Sequence, residues 1–360
     1  MLLGESPCWS RRQFRWEMFR FRCRTSSTPF SGGFSRRLLW WSTPAGCIWT
    51  PRSRFPHVIT VMGEALIDII VDSQGEVAAA AIGGAPLNTA RTLARLDVPV
   101  SFLGGMSTDA FGRRIARMLE DDGVGYALGS AMDAPTTLAI AEIDSEGAAT
   151  YRFVFDGTSA TLVTPEQAIS AVGGDCRVLH VGTLALVMEP LADATRAVVQ
   201  AVGQERIVMV DPNCRPAVMA GSPVFESTME AVMTRADVVK VSGDDLAFLY
   251  PGERPSTAAE QIHMRSGATV LFTDGANSVE VICAGGKEVL GVPTVPVVDT
   301  VGAGDSLSGG FLAHWVQHAW GREELSDVDK VIAAAEFGIT VAGITCQRAG
   351  ADPPFTSEVS

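Results

Sequence analysis

Asp299-Thr300-Val301-Gly302-Ala303-Gly304-Asp305 follows a β-rich stretch and opens a segment in which Leu307, Phe311 and Trp315 recur at i, i+4 and i+8. That spacing predicts a helix over residues 304–319 with one apolar stripe. The small residues at 302–304 let backbone N–H groups face outward at its N-terminus, where the helix dipole favours a phosphoryl group. An aspartate at the same mouth would repel phosphate. Asp305 is better suited to take the proton of an attacking hydroxyl, the base that phosphoryl transfer to an alcohol requires. A Gly-rich loop with an aspartate cap is the plainer reading of G-x-G-D alone, so the choice rests on the rest of the chain.

Upstream, Ile82-Gly83-Gly84-Ala85-Pro86-Leu87-Asn88-Thr89-Ala90 leads into a second helix. Adjacent glycines permit close backbone approach to a polyhydroxylated ligand, and Asn88, in the first turn, has an amide that both donates and accepts. Before it, Gly63-Glu64-Ala65-Leu66-Ile67-Asp68 ends an apolar run with acid. The Asp68 carboxylate suits two sugar hydroxyls, although taken alone it reads as a solvated strand end.

From residue 58 onward, short Val/Ile-rich runs alternate with helical patterns. Strands are predicted at 58–62, 99–103, 178–181, 207–210, 237–241 and 269–273, with helices at 87–96, 109–121, 190–203, 256–265, 304–319 and 328–345. The order implies an open α/β architecture, a mostly parallel sheet flanked by helices. Residues 66–82 and 137–155 break the rhythm. In the latter, Leu138–Ile143 and Thr150–Phe155 flank Asp144-Ser145-Glu146-Gly147 as a β-hairpin, expected to pair with 66–82 as a small β lid over the site.

The chain of 360 residues carries a net charge of −13, which argues against nucleic acid or an anionic membrane as partner. No apolar run is long enough to span a bilayer. The seven cysteines form no C-x-x-C pair or zinc-type cluster, so a reducing cytoplasm is expected. Residues 1–57 differ in kind: ten arginines, no lysine, Glu5 and Glu17 as the sole acids, and five of the seven tryptophans. This N-terminal extension is read as a transit peptide, a basic tail, or upstream sequence translated from a mis-set start codon. The last reading is favoured, leaving residues 58–360 as the working domain.

Two segments carry a family resemblance. Gly83-Gly84-Ala85-Pro86-Leu87-Asn88 through Gly104-Gly105-Met106-Ser107-Thr108-Asp109-Ala110-Phe111-Gly112, and Asp299 through Asp305 to Gly309-Gly310-Phe311, resemble the two signatures of the PfkB carbohydrate kinases, which have the ribokinase-like fold. The resemblance extends over residues 58–360. It implies an ATP-dependent sugar kinase with Asp305 as general base and the N–H groups of Gly302, Ala303 and Gly304 as anion hole. Asp68, Gly83, Gly84 and Asn88 match the sugar-binding region. Thr273-Asp274-Gly275 resembles the T-x-G turn at the nucleotide, although Ser278 stands where a later glycine is usual. Asp245 of Ser242-Gly243-Asp244-Asp245 matches the acid of the N-x-x-E element that organises Mg2+, here through an intervening water; a solvated helix start is the competing reading. Asp299 and the Val301 carbonyl, with the Arg348-Ala349-Gly350-Ala351 loop, resemble a K+ site. No G-x-x-x-x-G-K-[ST] loop occurs, and with three lysines in the chain (240, 287, 330) phosphate neutralisation falls to Mg2+, backbone N–H groups and Lys240, unless Lys240 is a simple strand-end lysine.

Within the family, Gly63 to Asp68, Asp211-Pro212-Asn213-Cys214-Arg215-Pro216, Asp156-Gly157-Thr158 and Gly350-Ala351-Asp352-Pro353-Pro354 look most like fructokinases. A 2-keto-3-deoxygluconate kinase is the nearer rival, with Arg215 on the substrate carboxylate, and a ribokinase follows. A sugar-sensing protein without phosphoryl transfer is the non-enzyme alternative. Resemblance further implies a homodimer through the lid. His180, His263, His314 and His318 read as structural. Cys214, beside Arg215, is either a thiol of lowered pKa or a small buried residue.

Overall fold

The computed structural model describes residues 59–359 apart from 145, 147 and 148. The expectations for residues 1–57, for Val58 and for the hairpin-turn residues Ser145 and Gly147 lie outside the described residues.

The strands are β1 Ile59–Met62, β2 Leu66–Val71, β3 Val77–Gly83, β4 Val100–Leu103, β5 Gly125–Tyr126, β6 Thr137–Ile143, β7 Ala149–Val154, β8 Val178–Gly182, β9 Ile207–Asp211, β10 Val238–Ser242, β11 Thr269–Asp274, β12 Ser278–Cys283 and β13 Gly286–Gly291. The helices are α1 Ala85–Arg95, α2 Ala110–Asp122, α3 Pro165–Ala171, α4 Leu191–Ala201, α5 Pro216–Met219, α6 Pro223–Arg235, α7 Gly243–Leu249, α8 Pro255–Ser266, α9 Ala303–Gln317 and α10 Val328–Thr345. All six predicted strands and all six predicted helices are present, with ends that differ by at most two residues. The short strand β5, the β12–β13 ribbon and helices α3, α5 and α6 had not been foreseen.

Nine strands form one sheet in the order β13-β12-β11-β10-β9-β8-β1-β4-β5. It is parallel from β11 to β5 and antiparallel at β11-β12-β13. The chain runs outward from β1 through β4 and β5, then returns to β8 on the other side of β1. The carboxyl ends of β1 and β8 thus flank a point where the winding reverses, the place where open α/β sheets form a ligand crevice.

Alternation along the buried strands divides the core between the two faces. Ile59 and Val61 pack with residues of α1, α9 and α10, whereas Met62, Leu179 and Val181 pack with residues of α4, α6 and α8. Helix α9 lies between α1 and α10, and small residues allow this. A side chain on Gly309 would meet Thr92 of α1, and one on Gly310 would come within 2.8 Å of the Gly338 Cα of α10. The predicted stripe is its buried face, with Phe311 stacked on Trp315 at 5.6 Å between ring centroids. The helix that carries Asp305 is therefore closely packed on both sides.

The two irregular segments pair as expected. They form a second sheet, β3-β2-β6-β7, with β2 parallel to β6 and antiparallel to β3, and with β6–β7 the predicted hairpin. Asp68, Ala81, Ala139 and Phe153 lie in one row across it. No helix among the described residues is long and apolar enough to cross a membrane.

Trp315 is fully buried in the α9 interface. Trp315→Ala is expected to lower the unfolding free energy by about 3–5 kcal/mol, read as a lower urea midpoint at an unchanged slope. A loss below about 1 kcal/mol would mean that α9 is not anchored by this contact.

Candidate active site

The crevice opens into a cavity of about 620 Å³. Leu66, Asp68, Ala139 and Phe153 of the second sheet form one wall. The ends of β1, β8, β9, β10 and β11, with the N-termini of α1, α7 and α9, supply the rest. Of the residues singled out in the sequence, Asp68, Gly84, Asn88, Arg215, Lys240, Thr273, Gly275, Val301, Gly302, Gly304 and Asp305 line it. Gly83, Asp245, Asp299 and Ala303 stand behind the wall.

Asp305 lies in the first turn of α9, 8% exposed, and accepts a hydrogen bond from Asn88 Nδ2 at 2.9 Å. Burial pushes its carboxyl up to about 6; the Asn88 bond pulls the other way, as do the charges of Lys240 and Arg215, while nearby Asp211 raises it. It is thus ionised at neutral pH yet basic for an aspartate, the range that suits a proton acceptor. Gly302 takes a left-handed conformation at φ 77° as N-cap of α9, which lets the backbone turn sharply before the helix. The Ala303 N–H donates to the Thr300 carbonyl at 3.2 Å, and of the three residues expected to supply N–H groups Gly302 and Gly304 line the cavity.

Lys240 is buried and reaches Asp211 Oδ2 at 3.0 Å. Burial works against its charge, but the fields of Asp211, Asp245 and Asp305 outweigh it and lift its pKa above the usual lysine value. A side chain at Gly304 would come within 2.7 Å of Lys240 Nζ, so the ammonium sits directly beneath the α9 N-terminus. The cavity therefore has a fixed cation next to backbone donors, an anion-binding arrangement.

At the opposite end, burial raises the Asp68 carboxyl and Arg215 counters it. A side chain on Gly83 would collide with that carboxylate, so Gly83 shapes the space around Asp68. Arg215 Nη1 donates to the Asn213 carbonyl (3.0 Å), Asn213 Oδ1 (2.8 Å) and the Cys214 carbonyl (3.1 Å), folding part of the guanidinium onto its own loop.

Asp245 forms a capping box with Ser242 at the start of α7. Its Oδ2 accepts from the Ser242 N–H (2.8 Å) and hydroxyl (2.7 Å), and its Oδ1 from the Cys214 N–H (2.6 Å). Asp244, not Asp245, is the acid of this pair on the cavity wall. Asp211 keeps one buried oxygen, Oδ1, without a hydrogen-bond partner. Among the described residues no group of three His, Cys, Asp or Glu side chains could hold a metal by itself.

Asp299 Oδ1 accepts from the Val301 N–H at 3.0 Å and Oδ2 from the Gly350 N–H at 2.9 Å, joining the two loops named together in the sequence. Burial alone would raise its pKa; the backbone donors of Val301, Gly350 and Thr300 hold it below the usual carboxylate range.

Of the two readings of Cys214, the small buried residue is the one the structure bears out. Cys214 is buried, and burial together with the neighbouring Asp245 pushes its thiol well up despite Arg215, so it is not a thiol of lowered pKa. His180 is likewise buried, held neutral with a pKa of about 3 by burial and then by Lys240.

Sequence reasoning missed Glu64, which is 1% exposed and lines the cavity. Burial raises its carboxyl to about 8 although it accepts N–H groups from Leu184 and Ala85. It also missed an apolar cleft of about 450 Å³ that shares Thr273, Gly275, Thr300 and Gly304 with the cavity and is walled by Val292, Pro293, Val295, Ile339 and Cys346. The run Val292-Pro293-Thr294-Val295-Pro296-Val297-Val298, too Pro-broken for a strand and too apolar for a solvated loop, was the available signal.

Residues 57–358 match the pfkB family carbohydrate kinase model. A fructokinase of Rhizobium leguminosarum bv. trifolii is 32% identical over 260 residues, covering 71% of this chain and 79% of its own. The structure of fructokinase with bound ATP from Xylella fastidiosa superposes with a TM-score of 0.72 at 26% identity, over 84% of this chain and 96% of that one. Aminoimidazole riboside kinase from Salmonella enterica, in complex with aminoimidazole riboside and an ATP analogue, shares the fold at a TM-score of 0.70 and 22% identity, over 84% of this chain and 98% of its own.

The raised pKa of Asp305 has a measurable consequence. Its folded value, about 6, exceeds the ordinary 3.8, so the folded state holds the proton more tightly. Stability contributed by the protonated form is present below the ordinary value and is lost as pH rises through about 6, a penalty of about 3 kcal/mol. Asp305→Asn is expected to be more stable than the parent at pH 8 and no different below about pH 4; lower stability at pH 8 would contradict the burial argument.

Proposed function

The chain belongs to the pfkB family of carbohydrate kinases, and from that premise we propose that it is a fructokinase, transferring the γ-phosphoryl of MgATP to D-fructose to give D-fructose 6-phosphate. The observation that carries the reading is Asp305. Its buried carboxylate, tuned to about 6 and held by Asn88, shares one cavity wall with Gly302, Gly304 and Lys240.

The sugar lies at the Asp68 end, its hydroxyls meeting the Asp68 carboxylate, the Asn88 amide and the Gly84 backbone, with Arg215 at the rim. Thr273 and Gly275 flank the nucleotide, whose base occupies the apolar cleft. As the sugar's primary oxygen attacks the γ-phosphorus, its proton passes to Asp305 and ADP departs. The N–H groups at Gly302 and Gly304, with Ala303 beside them, and the Lys240 ammonium balance the charge on the transferred group. Mg2+ would neutralise and orient the phosphates; Asp244, the acid of the pair on the cavity wall, would hold it through water, with Asp245, whose oxygens accept from Ser242 and Cys214, behind it. Asp299 and the Val301 carbonyl would hold K+ as an activator against the loop at Gly350.

The second sheet acts as a lid that brings Phe153 and Ala139 over the sugar and excludes water. Its outer strands, β3 and β7, carry exposed Val77, Tyr151 and Val154, which supports pairing with a second copy of the chain. The free thiols Cys176, Cys214, Cys283 and Cys346 support a cytoplasmic location. Residues 1–57 are dispensable in this account. One observation favours a second reading: Arg215 is a cation at the sugar end, and it would suit the carboxylate of 2-keto-3-deoxygluconate.

An ADP-release assay with MgATP and KCl, on the full chain and on residues 58–360 in parallel, separates these readings. Turnover with D-fructose is expected to exceed that with 2-keto-3-deoxy-D-gluconate, D-ribose and adenosine by at least tenfold in kcat/KM, equally in both proteins. Preference for the keto-acid would reassign Arg215 to its carboxylate, and preference for ribose or adenosine would overturn the fructose reading.

A further inference from the structure

Two arginines on α1 lie outside the cavity wall, Arg91 buried and Arg95 half-buried. Arg91 is 7% exposed; its Nε meets Asp122 Oδ2 at 2.6 Å, and its Nη1 donates to the Ala351 carbonyl at 2.7 Å. Arg95 takes the other oxygen of Asp122 at 2.7 Å and reaches Asp352 Oδ1 and the Pro353 carbonyl, both at 2.6 Å. A buried ion pair adds little net stability compared with apolar packing. Its strength lies in fixing where the partners stand.

What Arg91 fixes is the dipeptide Gly350-Ala351. Asp299 holds the Gly350 N–H from one side at 2.9 Å, and Arg91 holds the Ala351 carbonyl from the other. Ala351 in turn abuts Gly302: a side chain built on Gly302 would lie 2.6 Å from the Ala351 Cβ and 3.0 Å from its Cα. Gly302 is left-handed and fronts the cavity, so the position of its N–H depends on this backing. Arg91 stands three residues after Asn88 on the same helical face. One face of α1 thus grips Asp305 through Asn88 and the floor of the Gly302 turn through Arg91.

We propose that Arg91 is a positioning residue for phosphoryl transfer, setting the backbone donors at 302–304 in register with Asp305 by pinning Ala351 beneath Gly302. The inference rests on the reading that those donors receive the phosphoryl group. It predicts that loss of Arg91 harms the phosphate end and spares the sugar end.

Arg91→Met, which keeps the apolar stem, and Arg91→Lys, which keeps a donor, test it on the full chain. Arg91→Met is expected to lower kcat about 10- to 100-fold, the scale for losing a charged hydrogen bond that aligns reacting groups, with the sugar KM changed by no more than about threefold. Arg91→Lys should recover part of the loss. By calorimetry, the β,γ-imido analogue of ATP should bind Arg91→Met about tenfold more weakly, a measurement that needs no sugar. If no sugar is turned over even by the parent, the kinase reading fails by itself and analogue binding decides the role of Arg91. Analogue affinity within twofold of the parent would overturn the proposal. So would a loss of kcat matched by an equal loss of folded protein in near-UV circular dichroism, or a rise in sugar KM as large as the fall in kcat.

Discussion

The hydrogen bond from Asn88 Nδ2 to Asp305 Oδ2 joins two helix N-termini that are 217 residues apart in sequence. Everything near the crevice is arranged so that this contact can exist. Gly84, at φ 115°, lets the chain turn into α1. A side chain on Gly84 would run into the Glu64 carbonyl, so the turn can pack against the end of β1 only without one. Gly309 and Gly310 let α9 lie close between α1 and α10. Close packing of this kind has little slack, and the separation of Asn88 from Asp305 is inherited from it.

The electrostatics of the cavity follow from burial. Asp211, Asp305 and Lys240 are all nearly enclosed, and Asp245 lies close enough to act on Lys240. In such surroundings an isolated charge is costly. The buried ammonium is retained because the fields of Asp211, Asp245 and Asp305 outweigh the cost of its burial, and the carboxyl of Asp305 is itself raised to about 6. The folded state therefore carries a carboxylate that it would be more stable without, a common property of residues kept for chemistry.

Much of this was legible in the sequence, for identifiable reasons. Runs such as Val58 to Met62 and Val238 to Val241 are apolar except at Thr60 and Lys240, because parallel strands are covered on both faces, and Asp305 and Asn88 stand out as polar residues at glycine-marked helix starts. Glu64 was not legible because its partners, Ala85 and Leu184, are 21 and 120 residues away. Cys214 was legible as a small buried residue, but what sets its thiol was not: burial, and then Asp245, 31 residues on, which accepts its backbone N–H, outweigh its chain neighbour Arg215. The apolar cleft is assembled from three separate segments, β11 to β12, residues 292–304 and the end of α10, none of which shows a concavity by itself. The β12–β13 ribbon was hidden because much of it is exposed, which dilutes its alternation with polar residues.

The central claim is that Asp305 takes the proton of the attacking hydroxyl. The most direct test is single-turnover phosphorylation of the sugar by Asp305→Asn and the parent at saturating MgATP, with sugar affinity measured separately by calorimetry. The account predicts a rate lower by about 10²- to 10⁴-fold, the range for removal of a general base, with sugar affinity within a few-fold of the parent. Turnover within tenfold of the parent, or a loss explained by failure to bind sugar, would contradict it.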